Sequence, residues 1–262
     1  MGVHDSRIAI SPNKMKRVVV RRLSRIYTQQ DLAVGNRVEL EGQAAHYLTC
    51  VLRLAIDDVV TLFNGDGVDY LCDVLKINRQ QVLVGVSASK DPKNESALKI
   101  TLVQAITGDE RMDYTVQKAA ELGVYEIQPV FSSRVEVKLD DERQVKIMEH
   151  WRGVVISACE QSGRAVIPQI LEPVTLDDWL TDNVDGQRLV LDPDARTKLS
   201  ESVLDSNLVS VIIGPEGGFA LQELEQVIAS GVTAVSLGPR VLRTESAGPA
   251  AIAVLQVMAG DF

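Results

Sequence analysis

The chain has 262 residues, 45% of them apolar and 24% charged, the balance of an ordinary globular protein of one or two domains. A chain this long can bury a core that needs no disulfide or metal to hold it. Its three cysteines (Cys50, Cys72, Cys159) and three histidines (His4, His46, His150) form no CxxC, HxxxH or HxH, which argues against a disulfide framework and a zinc site and fits a reducing compartment. The formal charge is −9, from 27 basic and 36 acidic residues, and an acidic body weighs against broad nonspecific attachment to nucleic acid while leaving room for a local basic patch.

That charge is unevenly spread. Residues 1–25 hold seven basic side chains against Asp5 alone, which reads either as a basic tail outside the fold, or a misassigned start, or as an RNA-contacting arm. The run Val18–Val20 is too short for a signal-peptide core, and the longest apolar stretch, Ala250–Met258, is broken by Gln256; neither is a membrane span. The expected location is the cytoplasm.

From Arg25 to about Ser89 the pattern is rich in strands. Arg37–Leu40 alternates, Val59–Phe63 is a short apolar run ended by Asn64-Gly65-Asp66-Gly67, and Tyr70–Ile77 and Gln81–Val86 follow, with a hairpin turn at the Asn-Gly. Ala44, Tyr47, Leu48 and Val51 have helical spacing within Gln43–Leu54. Several strands and one helix in 65 residues predict a small β-barrel over 25–89. The polar stretch Ser89–Ser96, with Pro92, is the expected linker.

Over 97–262 the period changes. Strands are predicted at Leu98–Ile106, Glu126–Phe131, Val166–Ile170, Arg188–Leu191, Leu208–Ile213 and Ala234–Leu237. Helices are predicted at Arg111–Leu122, Glu142–Ser162, Leu176–Leu180, Lys198–Leu204, Leu221–Ala229 and Gly248–Met258. This alternation predicts an α/β domain with a mostly parallel sheet and helices on both faces. The last helix is apolar nearly all round, as a dimer interface or an enclosed core would require.

Two segments carry concentrated chemistry, each following a strand and preceding a helix. Ile213-Gly214-Pro215-Glu216-Gly217-Gly218-Phe219 is glycine-rich but is neither GxGxxG nor GxxxxGK[ST], so it is a tight turn or a backbone-lined ligand site other than a phosphate loop. Leu237–Ala247 crowds Arg240, Arg243, Thr244, Glu245 and Ser246 together, as a surface loop or a ligand-binding one. Glu160 and Arg164 at i, i+4 suit a helix-surface ion pair equally well, and Cys159 suits core packing. Arg111 and Lys118 share a helix face, exposed to solvent or to phosphate.

Together these segments resemble the RsmE-type enzymes of the SPOUT superfamily, which methylate N3 of a uridine in 16S ribosomal RNA. The likeness runs from Arg25-Ile26-Tyr27 and Val51-Leu52-Arg53, through Gln117-Lys118, Glu121–Val124 and Cys159–Arg164, to Ile213–Gly218 and Leu237–Glu245. It implies a PUA-like RNA-binding barrel over 25–89 and a trefoil-knotted methyltransferase domain over 97–262, with 1–24 as an extension. It also implies S-adenosylmethionine as cofactor, no metal, a homodimer, and a 16S rRNA substrate within the 30S subunit. On this footing Leu191, Gly214, Gly217, Leu237, Gly238, Leu242, Arg243, Thr244 and Ala247 are the expected cofactor cradle. Arg164 is expected to stabilise the uridinate or clamp a phosphate, since arginine stays protonated. Glu216 is a candidate proton acceptor, with water as its rival, and Arg22, Arg25, Arg53, Arg111 and Lys118 are the expected RNA contacts. A 2′-O-ribose methyltransferase of the same superfamily and a catalytically silent rRNA-binding assembly factor are the alternative readings. Ala220 stands where the family commonly has a serine helix cap, and Ser246-Ala247-Gly248-Pro249 departs from the usual threonine-containing run.

Overall fold

The computed structural model describes residues 24–78, 80–133, 141–182 and 185–262. Arg22 and the rest of the basic extension before Ser24 lie outside the described residues. The chain divides into two compact units, one ending at Pro92 and the other starting at Lys93.

The first unit contains β1 (Arg25–Tyr27), β2 (Arg37–Glu41), α1 (Gly42–His46), β3 (Val59–Phe63), β4 (Asp69–Ile77) and β5 (Gln81–Lys90). They form one five-stranded sheet in the order β1-β3-β4-β5-β2. β1 runs parallel to β3 and the other pairs are antiparallel. Period-two alternation sends Val38, Leu40, Val60, Leu62, Val74, Val82 and Val84 into a core that also takes Leu48. The predicted helix Gln43–Leu54 is α-helical only to His46 and continues as a wider π-type turn over Tyr47–Val51. Thr49 Oγ1 donates to Ala45 O at 2.8 Å, a side-chain bond that competes with the regular ladder. The Leu52 N–H reaches back five residues to Tyr47 O at 2.9 Å.

The second unit runs β6 (Lys99–Ala105), α2 (Asp109–Glu121), β7 (Glu126–Phe131), α3 (Asp141–Ser162), β8 (Gln169–Ile170), β9 (Val174–Thr175), α4 (Leu176–Thr181), β10 (Gln187–Leu191), β11 (Leu208–Ile213), α5 (Leu221–Ala229), β12 (Thr233–Val235) and α6 (Thr244–Ala259). The sheet order is β12-β10-β11-β6-β7-β8, with β9 also on β7, and every pairing is parallel. On one face Val103, Val130, Val190 and Ile212 pack with Leu176 and Trp179 of α4 and Val227 of α5. α6 packs on β6, β11 and α2, and α3 packs on α2. The chain leaving β12 is stitched to the connection between β10 and β11: Ser236 N–H donates to Thr197 O at 2.9 Å, and Leu199 N–H donates to Ser236 O at 2.8 Å.

Three predicted elements come out differently. The helix predicted over Lys198–Leu204 is a single 3₁₀ turn, Leu199–Glu201, because Lys198 and Leu199 spend backbone groups on Ser236. The strand predicted at Val166–Ile170 shrinks to Gln169–Ile170, since Pro168 has no N–H to pair. The last helix starts at Thr244, one turn early, so Pro249 sits inside it rather than in its first turn. No helix among the described residues is long and apolar enough to cross a membrane.

Gly123 ends α2 at φ +83°, and a Cβ there would lie 2.7 Å from Nε2 of Gln256. Gln256 is fully buried; its Nε2 donates to the carbonyls of Leu122 (3.1 Å) and Gly123 (3.3 Å), and its Oε1 accepts from Ser96 Oγ at 2.8 Å. Gly123→Ala imposes both a left-handed strain and a clash with this staple, and chemical denaturation is expected to show a loss of about 1–3 kcal/mol.

Candidate functional site

The carboxyl ends of β10, β11 and β12 lie side by side: Leu191 pairs with Val235, and Val190 with Ile212. The loops that leave them enclose a cavity of about 600 Å³, within the size range of small-molecule sites, at the strand end where open α/β sheets bind ligands. Its floor and walls include Leu191, Ile213, Phe219, Leu237 and Leu242, with Asp192 and Asp194 from the first loop and Thr244 and Ala247 from the start of α6. Both glycine-containing segments singled out in the sequence therefore converge on one cavity.

The glycines are needed for this geometry. A Cβ on Gly214 would meet the Phe219 ring at 3.2 Å, and Gly238 sits at φ +122°, a conformation that disfavours any side chain. The 214–220 loop is held at both ends. Thr244 Oγ1 donates to Gly214 O at 2.7 Å. At the far end the buried Glu223 carboxylate accepts from Ala220 N at 3.0 Å and from Ser133 N at 2.6 Å. Ala220 offers no side-chain cap to α5, so Glu223, reaching back to its backbone, supplies half of a capping box.

Arg111 of α2 and Glu216 both line the cavity, and the Arg111 guanidinium donates to Glu216 Oε1. Burial alone would raise the Glu216 pKa. Its own backbone N–H, Arg111 and the Gly108 N–H outweigh that and hold the carboxyl below its ordinary value. Glu216 is thus an ionised, half-exposed partner of Arg111 at neutral pH, and a weak proton acceptor.

Of the expected cradle, Leu191, Gly214, Leu237, Gly238, Leu242, Arg243, Thr244 and Ala247 line the cavity; Gly217 does not. Arg164 is not brought to it. Its side chain is 5% exposed and doubly bonded to Glu95, Nε to Oε1 at 3.0 Å and Nη2 to Oε2 at 2.6 Å, while Nη1 donates to Ala120 O at 2.8 Å. Arg164 ties the start of the second unit to the C-terminal turn of α2 and does not line this cavity. Arg25 is also turned inward: it pairs with Asp69 at 2.6 Å and stacks 4.7 Å over the Phe63 ring. Lys118 is paired with Glu121 at 2.8 Å. Arg53 is exposed, at φ +53°. The basic face expected from Arg22, Arg25 and Arg53 therefore lacks Arg25, and Arg22 lies outside the described residues. Cys159 is buried as core packing predicts, and burial pushes the Cys72 thiol up to about 12. Among the described residues no group of three or more His, Cys, Asp or Glu could hold a metal ion.

Reading the sequence missed Asp192, Asp194, Phe219 and Ser236 in the cavity wall. The first two had a usable signal, since Asp192-Pro193-Asp194 directly follows a predicted strand at the end where ligands bind.

Residues 94–256 match the family model described as an RNA methyltransferase domain, and residues 40–87 match one described as an RNA methyltransferase PUA domain. The chain is 35% identical over 245 residues to the ribosomal RNA small subunit methyltransferase E of Buchnera aphidicola, covering 92% of this chain and 99% of that one. It is similar to a ribosomal RNA small subunit methyltransferase E from Neisseria gonorrhoeae solved with S-adenosylmethionine bound (37% identity, TM-score 0.86, 92% of this chain and 100% of that one). It is similar also to a methyltransferase from Legionella pneumophila solved with the same cofactor (38% identity, TM-score 0.88, 92% and 100%).

Removing Arg164 leaves Glu95 without its partner, while Ala120 O still accepts from the Gly123 N–H at 3.2 Å. Arg164→Ala is expected to lower stability by about 2–3 kcal/mol in chemical denaturation, less than for a fully buried pair because Glu95 reaches solvent. Cofactor affinity measured on the folded fraction should change little.

Proposed function

The chain belongs to the RNA methyltransferase family, and we propose that it transfers a methyl group from S-adenosylmethionine to N3 of a uridine in 16S ribosomal RNA, acting on the small subunit. The observation that carries this reading is the convergence of the 214–220 and 237–247 segments on one cavity at the ends of β11 and β12. The cavity fits the cofactor: Gly214 and Gly238 bring backbone close, the leucines exclude water, and Asp192 and Asp194 place carboxylates in the wall, where a cationic donor is favoured. When bound, the cofactor supplies an electrophilic methyl on a cationic sulfur.

The chain's own residues then have two tasks at the acceptor. Uridine N3 carries a proton and becomes a good nucleophile only when that proton leaves, and the base has to be taken out of its stack to enter a pocket. The negative charge that develops on the pyrimidine calls for a fixed cation. Arg111 lines the cavity and fills that role in place of Arg164. Glu216 orients it, and water takes the proton. The Arg111–Glu216 pair is nearly half exposed on both sides, so it holds the guanidinium weakly and releases it readily to an incoming anion.

On an acidic body, attachment to RNA rests on local cations, with exposed Arg53 in the first unit and Arg111 in the second as the contacts this reading favours. α6 keeps Val254 and Met258 half-buried and Val257 67% exposed, an apolar strip that supports a homodimer.

Calorimetry with S-adenosylmethionine is expected to show binding to the wild type and none to Gly214→Val, because the added side chain enters the space of Phe219. Mass spectrometry of nucleosides from treated 30S particles should show base-methylated uridine; a ribose-methylated product would overturn the N3 assignment.

Arg111→Ala is expected to lower kcat about ten- to a hundredfold with cofactor affinity preserved. Glu216→Gln should lose less and keep the acid limb of the pH–rate profile. The sign follows from its depressed pKa: the charged form persists from high pH down through the ordinary carboxylate range, and the pairing with Arg111 is lost only as pH falls below it. Disappearance of the acid limb in Glu216→Gln would instead make Glu216 the base.

A further inference from the structure

Gln104 is a fully buried amide near the end of β6, in the middle of the sheet. Its strand partner on β11 is Ile213, the residue before Gly214. Its neighbour Val103 belongs to the apolar core on one face. Gln104 therefore points to the other face, where a Cβ on Gly248 of α6 would meet Leu102 Cδ1 at 3.2 Å and Gln104 Oε1 at 3.3 Å. An aliphatic residue would satisfy this position at no polar cost. The amide instead leaves its Oε1 buried with no hydrogen-bond partner, a loss of about 1–3 kcal/mol for such a group.

Its Nε2 explains why the amide is there. It donates to Ala105 O at 3.0 Å and to Thr244 Oγ1 at 3.1 Å. Turning the amide over would set two carbonyl oxygens against each other at Ala105, so the orientation is determined by the backbone. The Thr244 hydroxyl spends its one proton on Gly214 O, at 2.7 Å, and can only accept from Gln104. The polarity of the chain is thus one-directional: Gln104 to Thr244 to Gly214. It joins the end of β6, the first turn of α6 and the first residue of the glycine loop, and two of its three members line the cavity.

We propose that Gln104 is the positioning residue of the cofactor site: through Thr244 it sets the peptide plane at Gly214, and so the distance between the two loops that grip the cofactor. Gln104 itself touches neither cofactor nor substrate. The inference rests on the cofactor reading given above and goes beyond it, because it assigns the site's geometry to a buried residue outside both loops.

The test is a double-mutant cycle read by S-adenosylmethionine calorimetry and by thermal unfolding of the free protein. Gln104→Leu keeps the bulk and removes both the donor and the unpaired acceptor. Its melting midpoint is expected to stay at or above the wild-type value while Kd weakens roughly three- to tenfold, about the worth of one hydrogen bond. Thr244→Val should weaken Kd similarly, Thr244→Ser should restore it, and the double variant Gln104→Leu/Thr244→Val should be no worse than the weaker single variant. A merely structural glutamine would lower the midpoint and leave Kd alone, and that result overturns the proposal. So do additive losses in the double variant, which would mean the two residues act separately. If Gln104→Leu does not fold, Gln104→Met, of similar length and without the donor, decides: wild-type affinity overturns the relay, and weakened binding supports it. A wild-type protein that takes up no cofactor would overturn the functional reading and the relay with it, which separates that failure from a wild type that binds and a Gln104→Leu variant that binds equally well.

Discussion

The parallel pairing of β12, β10, β11 and β6 is the constraint from which the rest follows. Parallel strands all present their carboxyl ends at one edge, so whatever leaves Leu191, Ile213 and Val235 has to emerge in the same place. A parallel sheet is also covered on both faces, and two of the three exits lead into covering helices, α5 after the 214–220 loop and α6 after the 236–243 segment, while the chain after β10 makes only a 3₁₀ turn before β11. The loops are short and their backbone groups lie beyond the ladder. They face one another across the three strand ends. The cavity is thus a product of topology, and the particular residues tune its size and polarity. Gly214 and Gly238 are tolerated as open positions because the strands on either side, not the loops, hold the frame.

Electrostatics then decides which cations remain for function. In a chain of net charge −9 several arginines find an acid close by, and what separates them is burial. Arg164 is 5% exposed against Glu95, and Arg25 is 12% exposed against Asp69. Releasing Arg25 would leave the Asp69 carboxylate in a poorly solvated place, and releasing Arg164 would leave its own buried guanidinium without the Glu95 partner. Burial in fact raises the Asp69 pKa despite the opposing pull of Arg25, a sign of how little water reaches that pair. Arg111 and Glu216, by contrast, are paired in open solvent, where a pair is worth less than about 1 kcal/mol. An RNA phosphate or an ionised base can compete for Arg111 at little cost. The same residue type is therefore structural at 164 and available at 111, and exposure makes the difference.

Much of this was legible in the sequence, for physical reasons that can be named. The strands Glu126–Phe131 and Leu208–Ile213 and the helix Leu221–Ala229 fall where periodicity puts them, because each is a strong local pattern. The two loop segments were visible because glycine after a buried strand has few uses other than a turn or a backbone-lined site. The failures come from partners and constraints that periodicity does not register, several of them far away in sequence. Lys198–Leu204 has acceptable helix composition but is claimed by Ser236. Thr49 diverts the helix after His46 through a local side-chain bond. Arg164 carries a spacing that suits an exposed helix face, and Glu95, 69 residues away, takes it instead. No window of sequence contains that information. Glu223 was hidden for the same reason, since its role depends on Ser133 arriving from another strand.

The polar residues inside the second unit show where stability was conceded. The core of the first unit is almost wholly aliphatic, whereas beneath the cavity the chain buries Gln104, Thr244, Ser236 and Glu223. Each binds a backbone group in, or next to, one of the loops: Gly214 O through Thr244, Thr197 O through Ser236, and Ala220 and Ser133 N–H through Glu223. A buried donor or acceptor contributes little net stability when satisfied and detracts when it is not, so a sequence selected for stability alone would fill these places with leucine and valine. Their common feature is that they hold irregular backbone, which cannot be held by apolar packing because packing has no direction. Around the cavity, local rules are broken where the chain needs angular precision in a loop, as expected where function resides in loop geometry.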